Sequence, residues 1–370
     1  MVPDVNAAQV VACALGAFII IGTASSVLRN LVVPRARSGL ARWIGKTVRA
    51  PLIAVTRRMP SYDSRDRILS FAAPLTVLVT LIVWLILFIL GYGLLLFSIS
   101  SLGLGSSIRE AASSLLTLGF VTTSRGQLSA LDFAAAITGP LVIGLQVGYL
   151  PALYGAYNRR ESEVTMLDSR AGEPSWGPEI LARHASISSL DNLADLYRGW
   201  ERWAADVSES HANYPVLIYF RSQAPSRNWL VALLSVMDSA ALMLSLNPSR
   251  PQGEPRMAVR MGFVCMRDLA RTMNIPYDPD PDPDSDIQLT YDEFLDGIRR
   301  LGESGFPMER TPDDAWPEFK GWRINYEEIA YALAWRIDAV PALWSGPRRG
   351  PEVSLAPKTP TDRRPSRRPK

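Results

Sequence analysis

The residues whose types and spacing suggest chemistry are concentrated in two stretches. The first is Ser106-Ser107-Ile108-Arg109-Glu110-Ala111-Ala112-Ser113-Ser114-Leu115-Leu116-Thr117-Leu118-Gly119-Phe120-Val121. Ser107 and Glu110 have the spacing of a capping box, in which a hydroxyl and a carboxylate satisfy the free amides of a helix start. The pattern predicts a short helix ending near Leu118 and stopped by Gly119. The second stretch alternates Asp278, Asp280, Asp282, Asp284 and Asp286 with prolines and Ser285. Alternating carboxylates suggest a calcium loop, which also needs a central glycine and a terminal glutamate at fixed offsets. Counting from Asp282 makes Glu293 the twelfth residue but puts Ile287 in the glycine place, and counting from Asp280 loses the glutamate. The run reads as a stiff, solvated acidic linker.

Other chemistry has little to stand on. His184 and His211 have no metal-ligand spacing, and no cofactor is expected. Cys13 lies in an apolar run and Cys265 in an apparent soluble helix, so a disulfide between them is not expected. Gly103-x-Gly105 lacks the third glycine and the strand-helix setting of a nucleotide loop. No nucleophile–histidine arrangement is evident, so the chain does not read as an enzyme. A formal net charge of +3 is too small to imply nucleic acid as a partner.

The elements that would position the first stretch are apolar. Runs cover residues 7–28, 71–99 and 131–157. Each exceeds the roughly 20 residues that cross a bilayer core. Residues 1–8 carry Asp4 and no basic residue, unlike a cleaved leader, so the first run reads as a retained anchor. Between the first two runs, Arg35, Arg37, Arg42, Lys46, Arg49, Arg57, Arg58, Arg65 and Arg67 face only Asp63 and Asp66. The excess of positive charge puts this loop in the cytoplasm. Residues 98–130 are nearly uncharged and fall outside; Arg159 and Arg160 close the third run on the inside. The N-terminus is then outside and the C-terminus cytoplasmic. The basic loop reads either as a plain topology signal or as an amphipathic segment on anionic lipid, with Leu40, Trp43, Ile44 and Val48 beside Arg42, Lys46 and Arg49.

A long apolar run, a short helix, Thr117-Leu118-Gly119-Phe120-Val121 and a second long run together resemble the pore module of potassium-channel-type cation channels. The family's filter reads T-V-G-Y-G, and Thr117, Leu118, Gly119 and Phe120 fall on its first four places. Val121 replaces the last glycine. The resemblance covers residues 71–160. It implies a filter whose carbonyls replace the hydration shell of a monovalent cation, and a homotetramer around one pore. Val121 sets the outermost ion site and the selectivity apart from the family. In the third run Gly139 or Gly144 would serve as a hinge, or Gly144-x-x-x-Gly148 as a close-packing face. Thr138 and Gln146 are the polar residues that would face a pore. The competing reading of residues 106–123 is an amphipathic extracellular loop between two anchors.

From Pro174 onward the chain reads as soluble and mainly helical. Helices are expected around residues 190–207, 256–273, 291–303 and 326–340, with a short strand at 214–220. Residues 229–246 are apolar enough to tempt a fourth span, but Asp238 at their centre would cost about 2.5–3.5 kcal/mol in lipid, so they read as a core helix. Trp316, Trp322, Trp335 and Trp344 are expected in the core. The Pro- and Arg-rich residues 346–370 read as disordered.

The expectation is an all-α membrane protein: three transmembrane helices with a re-entrant pore helix, plus a mainly helical cytoplasmic domain. Its parts are an N-terminal span (1–30), a basic loop (31–70), a pore module (71–160), a helical domain (174–345) and a tail (346–370). Ala-, Arg- and Pro-heavy usage points to a GC-rich bacterium and its plasma membrane. The rival is a non-conducting membrane-anchored interaction protein, whose cytoplasmic domain binds a partner the residues do not name.

Overall fold

Long apolar runs with few helix breakers satisfy their backbone amides internally, and the chain is all-helical. The computed structural model describes residues 7–33, 39–120, 126–348 and 353–358, among which no strand occurs. In chain order the helices are α1 (Ala7–Leu31), α2 (Gly39–Thr56), α3 (Tyr62–Leu69), α4 (Ala72–Ile99), α5 (Leu104–Leu115), α6 (Gly126–Ala171), α7 (Gly177–Ser186), α8 (Leu193–Asn213), α9 (Trp229–Leu246), α10 (Gly253–Met273), α11 (Tyr291–Glu303), α12 (Pro312–Arg323) and α13 (Glu327–Ile337). Apolar stretches in α1, α4, α6 and α9 are each long enough to cross a membrane.

The chain forms two units. One comprises Met1–Ala54 and Phe71–Gly155, the other Val55–Ser70 and Ala156–Lys370. In the first, α1 packs along α4 at a close approach of small residues. A Cβ on Gly16 would lie 2.7 Å from the Gly91 carbonyl oxygen. Without a hydrophobic driving force between helices in lipid, such close backbone contact is a main source of association. The Trp84 indole donates to Ser26 Oγ at 3.0 Å across the same contact.

In the second unit α9 is the centre. It touches α7, α8, α10, α12 and α13, and all of its residues are buried. The core-helix reading of residues 229–246 is thus borne out, by enclosure in protein. The Asn228 side chain caps α9, accepting from the amides of Leu230 and Val231 at 3.0 and 3.2 Å. Thr290 and Glu293 form a capping box on α11.

Several expectations need correction. Residues 214–220 are not a strand; Pro215–Tyr219 is a 3-10 turn, its proline at the first turn and its Leu217 carbonyl accepting from an arginine described below. Trp335 is exposed, whereas Trp344 is buried. The basic loop does not end at residue 70 as one piece, because α3 belongs to the second unit. The tail is not disordered from Gly346. Arg348 is buried, its guanidinium donating to the carbonyls of Ala339 and Val340 at 2.7 Å each. Leu355 N–H donates to Pro341 O at 2.7 Å, and Lys358 exchanges backbone hydrogen bonds with Glu173 at 2.9 and 3.1 Å. Prolines and arginines bury little apolar surface, but here backbone pairing holds the segment. Residues 359–370 lie outside the described part.

Candidate functional site

α5 begins at Leu104, with Gly103 in an extended conformation at its N-cap. Ser107 and Glu110 therefore do not form the expected capping box. Both lie inside the helix and are fully buried. Gly103 O already accepts from the amides of Ser106 and Ser107, and Ser107 Oγ donates back to the same oxygen at 3.3 Å. The helix also ends earlier than expected, at Leu115. Leu118 N–H donates to Ser113 O at 2.8 Å and Thr117 N–H to Ser114 O at 3.1 Å. This is a Schellman closure with Thr117 in the left-handed place that glycine usually takes. Thr117 has φ +55° and Gly119 φ +71°. The left-handed region disfavours a β-branched side chain, so Thr117 is strained where Gly119 is not.

Neighbouring helices hold α5. A Cβ on Gly93 of α4 would lie 2.9 Å from Ile108 Cγ1. Ser114 Oγ donates to Asp132 Oδ1 of α6 at 2.7 Å. A Cβ on Gly139 would lie 1.9 Å from the Leu115 carbonyl oxygen. Gly139 is thus a contact point of α6 with the end of α5 and has no room to act as a free hinge. Gly144 and Gly148 are the reverse: exposed, with nothing within 4 Å of a Cβ. Within this chain they form no packing face. The Tyr92 hydroxyl and Thr138 Oγ1 are 2.8 Å apart, and Thr138 donates to Ala134 O at 2.7 Å.

Thr117, Leu118, Gly119 and Phe120 are all exposed on the single chain, Phe120 by 65%. Val121 lies outside the described residues. Among the described residues, neither carboxylate oxygen of the buried Glu110 has a hydrogen-bond partner, nor does the buried amide oxygen of Gln146. An ionisable residue enclosed without a partner among apolar helices is costly and marks a functional candidate.

Polar networks in the second unit escaped sequence reasoning. Arg160, fully buried on α6, donates to Leu217 O and Phe220 O at 2.8 Å each, and lies 3.1 Å from His211 Nε2. Burial, with Arg160 beside it, holds the His211 pKa well below the ordinary imidazole value. Tyr157 donates to Arg221 O at 3.0 Å. The Arg221 guanidinium meets Asp66 of α3 and donates to Ile337 O at 2.6 Å, and Arg65 Nε lies 3.3 Å from Asp338 Oδ2. In α9, Asp238 pairs with Arg323 and accepts from Tyr326 at 2.8 Å. Burial outweighs these partners and pushes the Asp238 pKa up to about 6. The only advance signals were a lone acid in an apolar run and two acids in a basic loop.

A cavity of about 240 Å³ is lined by Tyr331, Trp344 and Arg348 among others. It falls below the roughly 300 Å³ at which small-molecule sites begin. Among the described residues no cluster of three metal-ligating side chains occurs. Compared with protein-family models, curated proteins and solved structures, the chain matches none.

Proposed function

We propose that the protein is a multi-pass membrane protein conducting monovalent cations as a pore-loop channel. In this reading α1, α4 and α6 span the bilayer, α5 is re-entrant, and Thr117, Leu118, Gly119, Phe120 and Val121 form the filter of a homotetramer. The N-terminus is outside, the second unit is cytoplasmic, and the bilayer is the plasma membrane. The observation that carries the reading is α5 itself. With 12 residues it is about 18 Å long, too short to cross, yet its inner face is buried against helices that can. Irregular backbone at membrane depth is tolerated where it is enclosed in protein or lines water. The exposed backbone after α5 is left-handed at Thr117 and Gly119 but not at Leu118.

The test is flux of potassium and sodium into liposomes carrying the purified protein, with Gly119→Asp beside it. Flux abolished by the substitution supports the pore and locates its filter. The ratio of the two ions reads what Val121 does to selectivity. No flux from a folded oligomer across a range of voltage and pH sinks the proposal in favour of a membrane-anchored interaction protein.

A further inference from the structure

Outside the α5 segment, α2 carries an open surface of mixed chemistry. It packs against the start of α4 by one side only: Ile44 is 1% exposed, and a Cβ on Gly45 would touch Thr76 Cγ2 at 3.5 Å. The rest of its surface is open and divided. Arg42 and Lys46, four apart, share one face and are both exposed. Trp43, Ala50 and Ala54, at separations of seven and eleven, share the adjacent face and are exposed too, Trp43 by 61%. Among the described residues neither Arg42 nor Lys46 has a carboxylate partner; Arg49, beside them, donates through Nε to Gly45 O at 3.0 Å. A topology signal needs only a charge count. It does not need a tryptophan in line with small apolar residues beside two unpaired cations.

We propose that α2 is a docking surface for anionic phospholipid, with Arg42 and Lys46 on the headgroup phosphate and Trp43 at the acyl boundary. The occupant follows from position and charge. α2 packs where α4, apolar enough to cross a bilayer, begins, which puts its open side at the edge of the hydrocarbon. Tryptophan favours that depth. Unpaired basic residues beside it gain from the negative surface of an anionic leaflet and lose that gain as salt screens it. The proposal rests on the membrane embedding of the first unit and not on conduction.

The first unit contains two tryptophans, and Trp84 is fully buried, so Trp43 is its accessible reporter. The full-length protein is reconstituted with brominated phosphatidylglycerol or brominated phosphatidylcholine. Quenching assigned to Trp43 is the difference between wild type and Trp43→Phe. The expected result is a preference for the anionic lipid of about fivefold, lost in Arg42→Gln/Lys46→Gln, kept in Arg42→Lys/Lys46→Arg, and reduced by salt. Equal quenching by the two lipids, or none by either, overturns the docking surface. Carbonate extraction reads membrane embedding separately, so failure of the two ideas is distinguishable.

Discussion

The Arg221 guanidinium closes on the Asp66 carboxylate in an ion pair in which both side chains are less than 10% exposed. Through this pair α3, which directly precedes α4 in the chain, is held within the second unit. Arg221 O accepts from Tyr157 at 3.0 Å, and Arg160 donates to Leu217 O and Phe220 O. The five residues from Leu217 to Arg221 thus bind both the segment leading into α4 and the part of α6 that follows Gly155.

Removing one partner of a buried pair strands the other's charge. Arg221→Ala is expected to destabilise the second unit by about 3–5 kcal/mol. Denaturation of the full-length protein in detergent, followed by tryptophan fluorescence, measures it. Proteolysis within residues 55–70 should rise in parallel. An unchanged denaturation midpoint would mean α3 is not held by Arg221.

Asp238 sets a pH dependence. Its folded pKa of about 6 lies above the ordinary value of 3.8, because burial outweighs Arg323 and Tyr326. Between those values the folded protein binds more protons at this site than the unfolded chain. Its contribution to stability therefore falls as pH rises from about 4 to about 6, by up to about 1.4 kcal/mol per pH unit, and is flat above that. Asp238→Asn should remove this component of the slope and lower stability most above about pH 6, where the ionised carboxylate pairs with Arg323; Arg323 keeps its pair with Glu327. A slope equal to wild type in the variant would assign the effect elsewhere.

Thr117 and Gly119 share a left-handed φ but differ in cost. Thr117→Gly should raise stability by about 1 kcal/mol, and Gly119→Ala should lower it by a similar amount. Thermal unfolding in detergent reads both. If Thr117→Gly also alters ion flux in liposomes, the strained residue is kept for its side chain rather than for its fold.

The two glycines considered as hinges should separate cleanly. Gly139→Ala places a methyl group 1.9 Å from the Leu115 carbonyl oxygen, and a loss of about 2–3 kcal/mol is expected. Gly144→Ala meets nothing within 4 Å and should be neutral or stabilising by up to about 1 kcal/mol through helix propensity. Thermal stability decides this. A weakened oligomer in Gly144→Ala, read by crosslinking, would show that Gly144 packs against a second copy.

Glu110→Leu replaces a buried carboxyl that has no hydrogen-bond partner among the described residues by an apolar group of similar size. Its expected effect is a gain of about 2 kcal/mol in stability, read as a raised melting temperature. A loss instead would mean that the carboxylate has a cationic partner in the assembled protein.

The sequence by itself determined what short-range physics controls. Uninterrupted apolar runs of bilayer length dictate α1, α4 and α6, because backbone groups away from water must bond within their own helix. Amphipathic spacing dictated α8 and α10, and the Thr290–Glu293 box marks the start of α11. The burial of α9 followed from Asp238, a charge lipid would not accept. Tertiary structure decided the rest. Ser107 and Glu110 have the spacing of a cap, but the helix starts three residues before Ser107, and only the position of α5 against α4 shows why both are buried. Gly139 and Gly144 are alike in sequence. Only the neighbour each meets, the Leu115 carbonyl for one and open space for the other, separates them. Asp66 and Arg221 are 155 residues apart. Their pairing depends on how the second unit folds, and no local pattern encodes a contact between segments that chain geometry leaves free to meet anywhere.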